Sequence, residues 1–373
     1  MRGLHAGMML MAIACGGCRK VDAVSKGERF VAASDPGLRY SGRWDRAEPA
    51  RPRASWPGFA VATDFRGRAI QVRMTDAGNY FNVEIDGEFH GVVGGKRGAH
   101  LTYLLAGKLG AGVHRVRLQR RNITFEEPTV IEGFVVDEDA RLTLPAESGR
   151  RRIEFIGDSY TAAEGNEAVA ATLPWKQKYP VTNFDAGFAA MIGRALDAEV
   201  TAVCRSGSGL VCDWKGGRKQ AMGERYGWTL MEKPNPAWSF GGPSPDLVVI
   251  CLGLNDYSGL KDADGQVSGA ASAEFRAAHR RLIAEVRRRH PRARMVALAS
   301  FLPWARENIA AVVAEERADG RKDIDYAQFD EFPGGYVADG HPTVETHRKM
   351  AEQILGQFAL LGLGSAPESG RVR

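Results

Sequence analysis

Residues 246–256 read Asp-Leu-Val-Val-Ile-Cys-Leu-Gly-Leu-Asn-Asp. An unbroken apolar run of this length is typical of a β-strand buried on both faces, as strands of a parallel sheet are. Gly253 ends the run, and Asn255 and Asp256 follow at once. Because reactive groups of α/β proteins gather beyond the carboxyl ends of the parallel strands, this stretch predicts both an α/β fold and a site at that edge.

Similar apolar runs lie on either side, separated by segments with helical periodicity. They predict further buried strands at residues 153–156, 200–204 and 295–299. Apolar residues spaced three and four apart predict amphipathic helices over residues 185–196, 272–289 and 344–361. Strands that alternate with helices are typical of an α/β/α sandwich around a parallel sheet. We therefore expect such a domain over residues 149–365, followed by a tail at 366–373.

The chain between residues 25 and 148 has a different pattern. Short, partly alternating runs are separated by turn formers such as Asp86-Gly87, and the runs lie at residues 60–65, 69–74, 80–85 and 114–119. Closely spaced short strands with little helical periodicity indicate an antiparallel β-sandwich. We expect a jelly roll, so that a β-sandwich domain precedes the α/β domain.

The first 24 residues have the pattern of an export signal. Arg2 gives a positive start, an apolar run follows at residues 8–14, and small residues precede Cys15. Ala12-Ile13-Ala14-Cys15 resembles a bacterial lipobox, which makes Cys15 a candidate lipid anchor. No later segment approaches the ~20 apolar residues of a membrane helix. We expect an exported protein of the periplasm, cell surface or medium without a transmembrane segment.

Charge and cysteine content exclude two classes of protein. The net charge is +5, but 50 Lys and Arg residues nearly balance 45 Asp and Glu residues along the chain. A nucleic-acid-binding protein would concentrate its positive charge, so we expect no nucleic-acid partner. Cys204, Cys212 and Cys251 are too few and wrongly spaced for a zinc site, and Cys204 and Cys212 either pair or remain free thiols. No metal or organic cofactor is indicated.

Four short polar blocks carry residues suited to ester hydrolysis. Three directly follow predicted strands and the fourth precedes the last helix; they are Gly157-Asp158-Ser159, Arg205-Ser206-Gly207-Ser208-Gly209, Leu252-Gly253-Leu254-Asn255-Asp256 and Ala338-Asp339-Gly340-His341-Pro342. Such hydrolysis needs a nucleophile, a base and donors for the developing oxyanion. The blocks can supply all three at one edge of the sheet.

Each block has one candidate residue. Ser159 is the nucleophile and His341 its base, whereas His347 falls inside the last helix and is more suited to a surface or packing role. The backbone N–H groups of Ser159 and Gly207 and the side-chain amide of Asn255 are the candidate oxyanion donors. Asp158 we interpret as a structural hydrogen-bonding residue of its turn.

The four blocks together resemble those of the SGNH (GDSL-type) hydrolases. The residues of these blocks are similar to those of carbohydrate esterase family 2 at positions 157–161, 206–210, 252–256 and 339–342, and at His347. Members of that family join an N-terminal β-sandwich to an SGNH domain. Four short segments of the β half are similar in sequence to the β-sandwich of that family; they lie at residues 56–58, 79–81, 85–87 and 112–116. The resemblance implies removal of acetyl groups from a carbohydrate, such as a xylan- or glucomannan-type polysaccharide, through an acyl-enzyme.

The partner of His341 is left open by the sequence. Many SGNH enzymes carry a catalytic Asp three residues before the His, and here that position is Ala338. Asp339 is therefore a candidate third catalytic residue, and the alternative, which the resemblance to family 2 favours, is a backbone carbonyl that orients the imidazole.

A sugar site would also need an aromatic platform near Ser159. Four tryptophans of the α/β half lie in predicted loops. Of these, Trp214, Trp238 and Trp304 are the candidate substrate-binding residues. The fourth, Trp228, lies in the long insert at residues 213–245, which also contains Trp214 and Trp238. Each of them, taken individually, is more suited to packing than to contact with a sugar.

Two rival functions remain at this stage. The same scaffold serves other esters, including acetylated peptidoglycan or alginate, lipids and thioesters, so the fold does not choose among them. A non-catalytic carbohydrate-binding surface protein is the second rival. The presence of all four blocks argues against it, because binding alone does not require Ser, Asn and His together.

Overall fold

The computed structural model describes residues 19–20, 25–146, 151–219 and 221–364. The candidate lipid anchor Cys15 and the predicted tail at 366–373 lie outside these residues, as does nearly all of the predicted export signal. Within the described ranges, no helix is both long enough and apolar enough to cross a membrane.

Two antiparallel sheets form the N-terminal half. Their strands are β1 (Arg19–Lys20), β2 (Glu28–Ala32), β3 (Arg39–Ser41), β4 (Arg53–Ala54), β5 (Ala60–Arg66), β6 (Ile70–Ala77), β7 (Tyr80–Ile85), β8 (Glu88–Gly94), β9 (Arg97–Ala106), β10 (His114–Arg120), β11 (Thr129–Asp137) and β12 (Arg141–Thr143). One sheet has the order β1-β9-β6-β11-β2, with β4 beside β11. The other has the order β12-β5-β10-β7-β8, with β3 beside β5.

The two sheets share one apolar core. Along β6, buried side chains alternate with half-buried ones, as expected for a strand with one face on a core. Val72 and Phe134 from one sheet and Phe65 and Phe81 from the other are buried in the same cluster. The predicted antiparallel sandwich is confirmed, and the predicted strands at 60–65, 80–85 and 114–119 lie within β5, β7 and β10.

A five-stranded parallel sheet forms the centre of the C-terminal half, in the order β14-β13-β17-β18-β19. The strands of this half are β13 (Arg151–Gly157), β14 (Ala198–Cys204), β15 (Trp228–Leu230), β16 (Lys233–Ala237), β17 (Leu247–Cys251), β18 (Arg294–Ala299), β19 (Ile324–Gln328), β20 (Tyr336–Val337) and β21 (His341–Pro342). Its helices are α1 (Trp175–Lys178), α2 (Phe188–Ala195), α3 (Met222–Arg225), α4 (Leu254–Leu260), α5 (Gly269–Arg289), α6 (Pro303–Ala318) and α7 (Val344–Leu360). The predicted α/β architecture is confirmed.

Strand β17 lies in the middle of this sheet and is buried along its whole length, as its sequence predicts. The helix predicted over 185–196 is instead a 3-10 turn, Phe184–Ala186, followed by α2. Gly187 has an extended backbone between the two, which separates them. Helix α6 and edge strand β19 were not predicted from the sequence.

The two domains meet through a buried polar and aromatic interface. The Arg43 guanidinium donates to the Glu154 carboxylate at 3.0 Å and to the Tyr226 carbonyl at 2.6 Å. Trp56 of the sandwich is buried in the core of the α/β domain, where its indole N–H donates to the Thr229 carbonyl at 2.9 Å. Such extensive burial favours one fixed relative orientation of the domains.

Candidate active site

Ser159 lies in the turn that directly follows β13, at the carboxyl edge of the sheet. Its side chain is 9% exposed. Gly157 has no room for a side chain, because a Cβ there would overlap Thr161 and approach the Cys251 carbonyl. The glycine therefore lets the strand end against its neighbour and turn sharply into Ser159.

Asp158 is fully buried and connects two of the four blocks. Its carboxylate accepts the Tyr160 N–H at 3.0 Å and the side-chain amide of Asn255 at 3.3 Å. Burial in this poorly solvated position raises its pKa to about 7. These contacts give Asp158 the structural position that the sequence suggested.

Asn255 is the second residue of helix α4, which starts shortly after the end of β17. Its amide nitrogen donates to the Ser208 carbonyl at 3.0 Å as well as to Asp158. The side chain therefore lies between the turn of Ser159 and the loop of Gly207, and its orientation is set by a partner in each.

Asp256 holds that second loop in place, a role that the sequence did not reveal. Its buried carboxylate accepts the backbone N–H groups of Leu210 at 3.0 Å and Val211 at 2.7 Å. A side chain at Gly209 would overlap this carboxylate, so the loop approaches as closely as glycine permits. Burial raises the pKa of Asp256 to about 6. Gly207 itself has φ +75°, a backbone region that favours glycine.

His341 is the first residue of β21 and directly follows the tight loop that connects β20 to β21. Ala338, Asp339 and Gly340 all have positive φ, which folds the chain back so that the His341 Nδ1 lies 2.6 Å from the Ala338 carbonyl. A carbonyl can only accept, so Nδ1 carries the proton and Nε2 is left free to act as a base. The orienting group is thus a backbone carbonyl.

Asp339 does not orient the imidazole in this arrangement. Its carboxylate lies 2.9 Å from the Lys178 ammonium and is half exposed. This ion pair lowers the pKa of Asp339. The Ala338 carbonyl, and not the Asp339 carboxylate, takes the position on Nδ1.

Tyr160 joins the serine turn to the histidine loop. Its hydroxyl donates to the Gly340 carbonyl at 2.8 Å, and its ring centroid lies 6.1 Å from that of His341. Among the described residues, no hydrogen bond connects the Ser159 hydroxyl to the imidazole. Catalytic hydrogen bonds commonly tighten only when substrate is bound.

His347 is a core residue of α7. It is completely buried, its Nδ1 accepts the Phe188 N–H at 3.3 Å, and its ring stacks on the Phe188 ring. Burial lowers its pKa to about 3. This agrees with the predicted packing role and leaves His341 as the histidine at the site.

Two charged residues next to His341 were missed in the sequence. The Glu164 carboxylate, 3% exposed, has one oxygen 3.8 Å from His341 Nε2 and 2.9 Å from the Lys178 ammonium. Glu164 lies only five residues after Ser159, which is the signal that could have placed it here. Lys178, on the short helix α1, carries no such signal.

The three candidate tryptophans lie in different surroundings. Trp214, 56% exposed, packs on Gly207 and donates its backbone N–H to the Gly207 carbonyl at 3.1 Å. Trp304 packs on Phe275 and Tyr257, behind the third block, and its indole N–H donates to the Ser272 hydroxyl. Trp238 lies at the domain junction beside Arg43. Of these three, Trp214 is the one that contacts a candidate oxyanion residue, Gly207.

An aromatic stack that the sequence did not predict borders the site. Phe125, from the sandwich, stacks on Trp175 of α1 with centroids 4.7 Å apart and planes 13° from parallel. The guanidinium of Arg205, at the start of the second block, lies 4.2 Å from the Phe125 centroid. Thus a loop of the β-sandwich reaches between two elements of the α/β domain. Sequence patterns could not show this, because the three residues are far apart in the chain.

Cys204, Cys212 and Cys251 are buried free thiols. Burial raises the pKa of each of them. Among the described residues, no group of three His, Cys, Asp or Glu side chains could hold a metal ion.

Comparison with known protein families divides the chain at the same place as the fold does. Residues 40–145 match the carbohydrate esterase 2 N-terminal family, and residues 155–349 match the GDSL-like lipase/acylhydrolase family. Each match covers one of the two domains described above.

The chain is also similar in sequence to individual proteins. The chain is 30% identical to the cellulase/esterase CelE of Acetivibrio thermocellus over 87% of its own length, but spans only 39% of that protein. It is 27% identical to an acetylxylan esterase / glucomannan deacetylase of Cellvibrio japonicus, covering 83% of this chain and 85% of that one.

A solved structure extends the likeness to the fold. A family two carbohydrate esterase from Clostridium thermocellum in complex with cellohexaose is 28% identical, with a TM-score of 0.78 over 87% of this chain and 99% of that one. The chain therefore belongs to the GDSL-like lipase/acylhydrolase family, and its N-terminal domain places it close to the family 2 carbohydrate esterases.

Proposed function

We propose that the protein is a serine esterase that removes O-acetyl groups from a carbohydrate. The observation that supports the proposal is the set of hydrogen bonds that links the four blocks. The Asn255 amide donates to Ser208, beside Gly207, and to Asp158, beside Ser159. The Tyr160 hydroxyl, also beside Ser159, donates to the carbonyl of Gly340, and the Ala338 carbonyl sets the tautomer of His341. The similar proteins named as acetylxylan esterase / glucomannan deacetylase support the substrate class.

In the first half-reaction, Ser159 Oγ attacks the acetyl carbonyl carbon and its proton passes to His341 Nε2. The carbonyl π electrons move to oxygen, and the backbone N–H groups of Ser159 and Gly207 and the Asn255 amide stabilise the resulting oxyanion. When the carbonyl re-forms, the bond to the sugar oxygen breaks and that oxygen takes the proton from Nε2. Water then repeats the sequence and releases acetate.

The hydrogen bonds of Asn255 suit this role. The amide is already fixed by Ser208 and Asp158, so little reorganisation is needed when charge develops.

The aromatic surfaces around the site support a carbohydrate substrate. Phe125 with Trp175 and, near Gly207, Trp214 offer partly exposed rings on which sugar rings could pack. Binding of a long substrate would then involve a residue of the β-sandwich as well as the α/β domain.

Acetate release tests this proposal. The protein lacking residues 1–24 and its Ser159→Ala variant are incubated with acetylated xylan, glucomannan and peptidoglycan. Release from xylan or glucomannan that is lost in the variant is the expected result. Release of acetate from peptidoglycan alone would favour an esterase that acts on acetylated peptidoglycan. Binding of the polysaccharides without any release of acetate would favour a carbohydrate-binding protein.

We also infer export, with Cys15 as a candidate lipid anchor, from the pattern of the first 24 residues. Mass spectrometry of the mature protein, produced in a bacterial host, measures both features. An N-terminus at residue 15 with added lipid mass indicates anchoring, a later unmodified N-terminus indicates export alone, and an intact Met1 in the cytoplasm contradicts the inference.

A further inference from the structure

The imidazole of His341 has no carboxylate on Nδ1, because the Ala338 carbonyl occupies that position. When Nε2 takes the serine proton, the ring becomes a cation in a partly buried site. A neutral carbonyl compensates this charge less well than a carboxylate does. Another group near the ring must therefore supply negative charge if the ion is to be stabilised.

Such a group lies at the opposite edge of the ring. Glu164 Oε1 is 3.8 Å from Nε2, the atom that receives the proton. The carboxylate is nearly inaccessible to solvent, and its second oxygen, Oε2, is buried with no hydrogen-bond partner. Because water does not screen this carboxylate well, its effect on the ring is stronger than that of an exposed group.

Lys178 sets the size of that effect. Its ammonium lies 2.9 Å from Glu164 and 2.9 Å from Asp339, so it joins the two carboxylates in one cluster. With both carboxylates ionised, the cluster carries one net negative charge, equal and opposite to that of a protonated His341.

The remaining groups around the ring do not provide this charge. His347 faces it from α7 and is held neutral by burial. Tyr160, from the serine turn, and Tyr336, from β20, contribute rings whose hydroxyls have raised pKa values. Asp158 is buried and is engaged with Tyr160 and Asn255.

We propose that Glu164, balanced by Lys178, is a positioning residue that stabilises the protonated form of His341 during acyl transfer. It thus fulfils from the Nε2 side the electrostatic role that a carboxylate on Nδ1 has in a Ser-His-Asp triad. The inference rests on the proposed function, since it takes Ser159 as nucleophile and His341 as base.

The test measures how a fluorophosphonate probe reacts with Ser159 between pH 4.5 and 9. Attack by Oγ on phosphorus expels fluoride and depends on neutral His341, whichever ester is the natural substrate. Glu164→Gln removes negative charge, so the midpoint of the acid limb should move down by about one pH unit. Lys178→Met leaves two unbalanced carboxylates, so the midpoint should move up by a similar amount.

Matched controls change the same charges at exposed positions far from the site. Glu138→Gln, in a turn of the sandwich, and Lys322→Met, before β19, should leave the midpoint within about 0.2 pH unit of the original. A merely structural role would lower the amplitude of labelling or the melting temperature without opposite shifts. If Glu164→Gln does not fold, the Lys178→Met variant decides, because the inference requires that its midpoint moves to higher pH.

Unmoved midpoints in folded variants would overturn the inference and leave the proposed function intact. Absence of labelling at Ser159 in the unmodified protein would instead refute the nucleophile assignment, and the inference with it.

Discussion

The Asp256 carboxylate accepts the Val211 backbone N–H at 2.7 Å and so fixes the Gly207 loop against the end of β17. The neighbouring residue, Asn255, contacts the same loop through Ser208. Two candidate oxyanion donors from different blocks are therefore held in register by adjacent residues of one turn.

Replacing Asp256 should consequently impair catalysis without contact with the substrate. Asp256→Ala leaves the N–H groups of Leu210 and Val211 without their acceptor, and we expect kcat to fall by about two orders of magnitude, comparable to the loss of one oxyanion donor. Acetate release and thermal unfolding should be measured together. Asp139→Ala, in an exposed turn of the sandwich, is the control. A folded Asp256→Ala protein with normal kcat would contradict this account.

The Asp158 carboxyl predicts a specific pH dependence of stability. Its pKa is raised from an ordinary 3.8 to about 7, so its contribution to folding is complete below pH 3.8 and is lost as the pH rises toward 7. Asp158→Asn cannot ionise. The free energy of unfolding of the variant minus that of the original protein should therefore increase between pH 4 and pH 8, by at most about 4 kcal/mol. Urea denaturation across this range measures it, and a difference that stays constant with pH would show that the carboxyl is not protonated in the folded protein.

Phe125 predicts a difference between long and short substrates. If its ring supports a sugar chain, Phe125→Ala should lower kcat/KM for an acetylated polysaccharide by about tenfold, which corresponds to the loss of a ring contact of about 1.4 kcal/mol. The loss on p-nitrophenyl acetate, which has no sugar, should be below about threefold. Phe89→Ala removes a ring that is 54% exposed on β8 and serves as the control. Equal losses on both substrates would assign Phe125 to packing.

The buried pair of Arg43 and Glu154 predicts strong coupling between the domains. Arg43→Met leaves the Glu154 carboxylate buried without its partner, and we expect the free energy of unfolding to fall by about 3–5 kcal/mol. Arg43→Met with Glu154→Gln should recover part of this loss. The exposed Arg348, paired with Glu345 on α7, is the matched control, and Arg348→Met should change stability by at most about 1 kcal/mol. Similar effects of Arg43→Met and Arg348→Met would mean that the interface pair contributes little.

Much of the fold was predictable because it depends on short-range patterns. The unbroken apolar run of β17 and the alternation within β5 and β10 are set by burial on two faces or one, and each can be read within a few residues. Helix α6 and strand β19 were not predicted because their sequence patterns are weaker. Helix α6 has a mixed composition, and β19 contains polar residues at a sheet edge.

By itself, the sequence determined the two-domain architecture and nominated Ser159, Gly207, Asn255 and His341, because the ends of parallel strands must meet at one edge of their sheet. Tertiary structure alone decided which groups surround them. It placed the Ala338 carbonyl on His341, Lys178 on Asp339, Glu164 near Nε2, and Phe125 between Trp175 and Arg205. The proximity of Glu164 to Ser159 in the chain could have suggested its place. The other contacts depend on backbone conformation or on distant segments packing together, and no local pattern of residues encodes either.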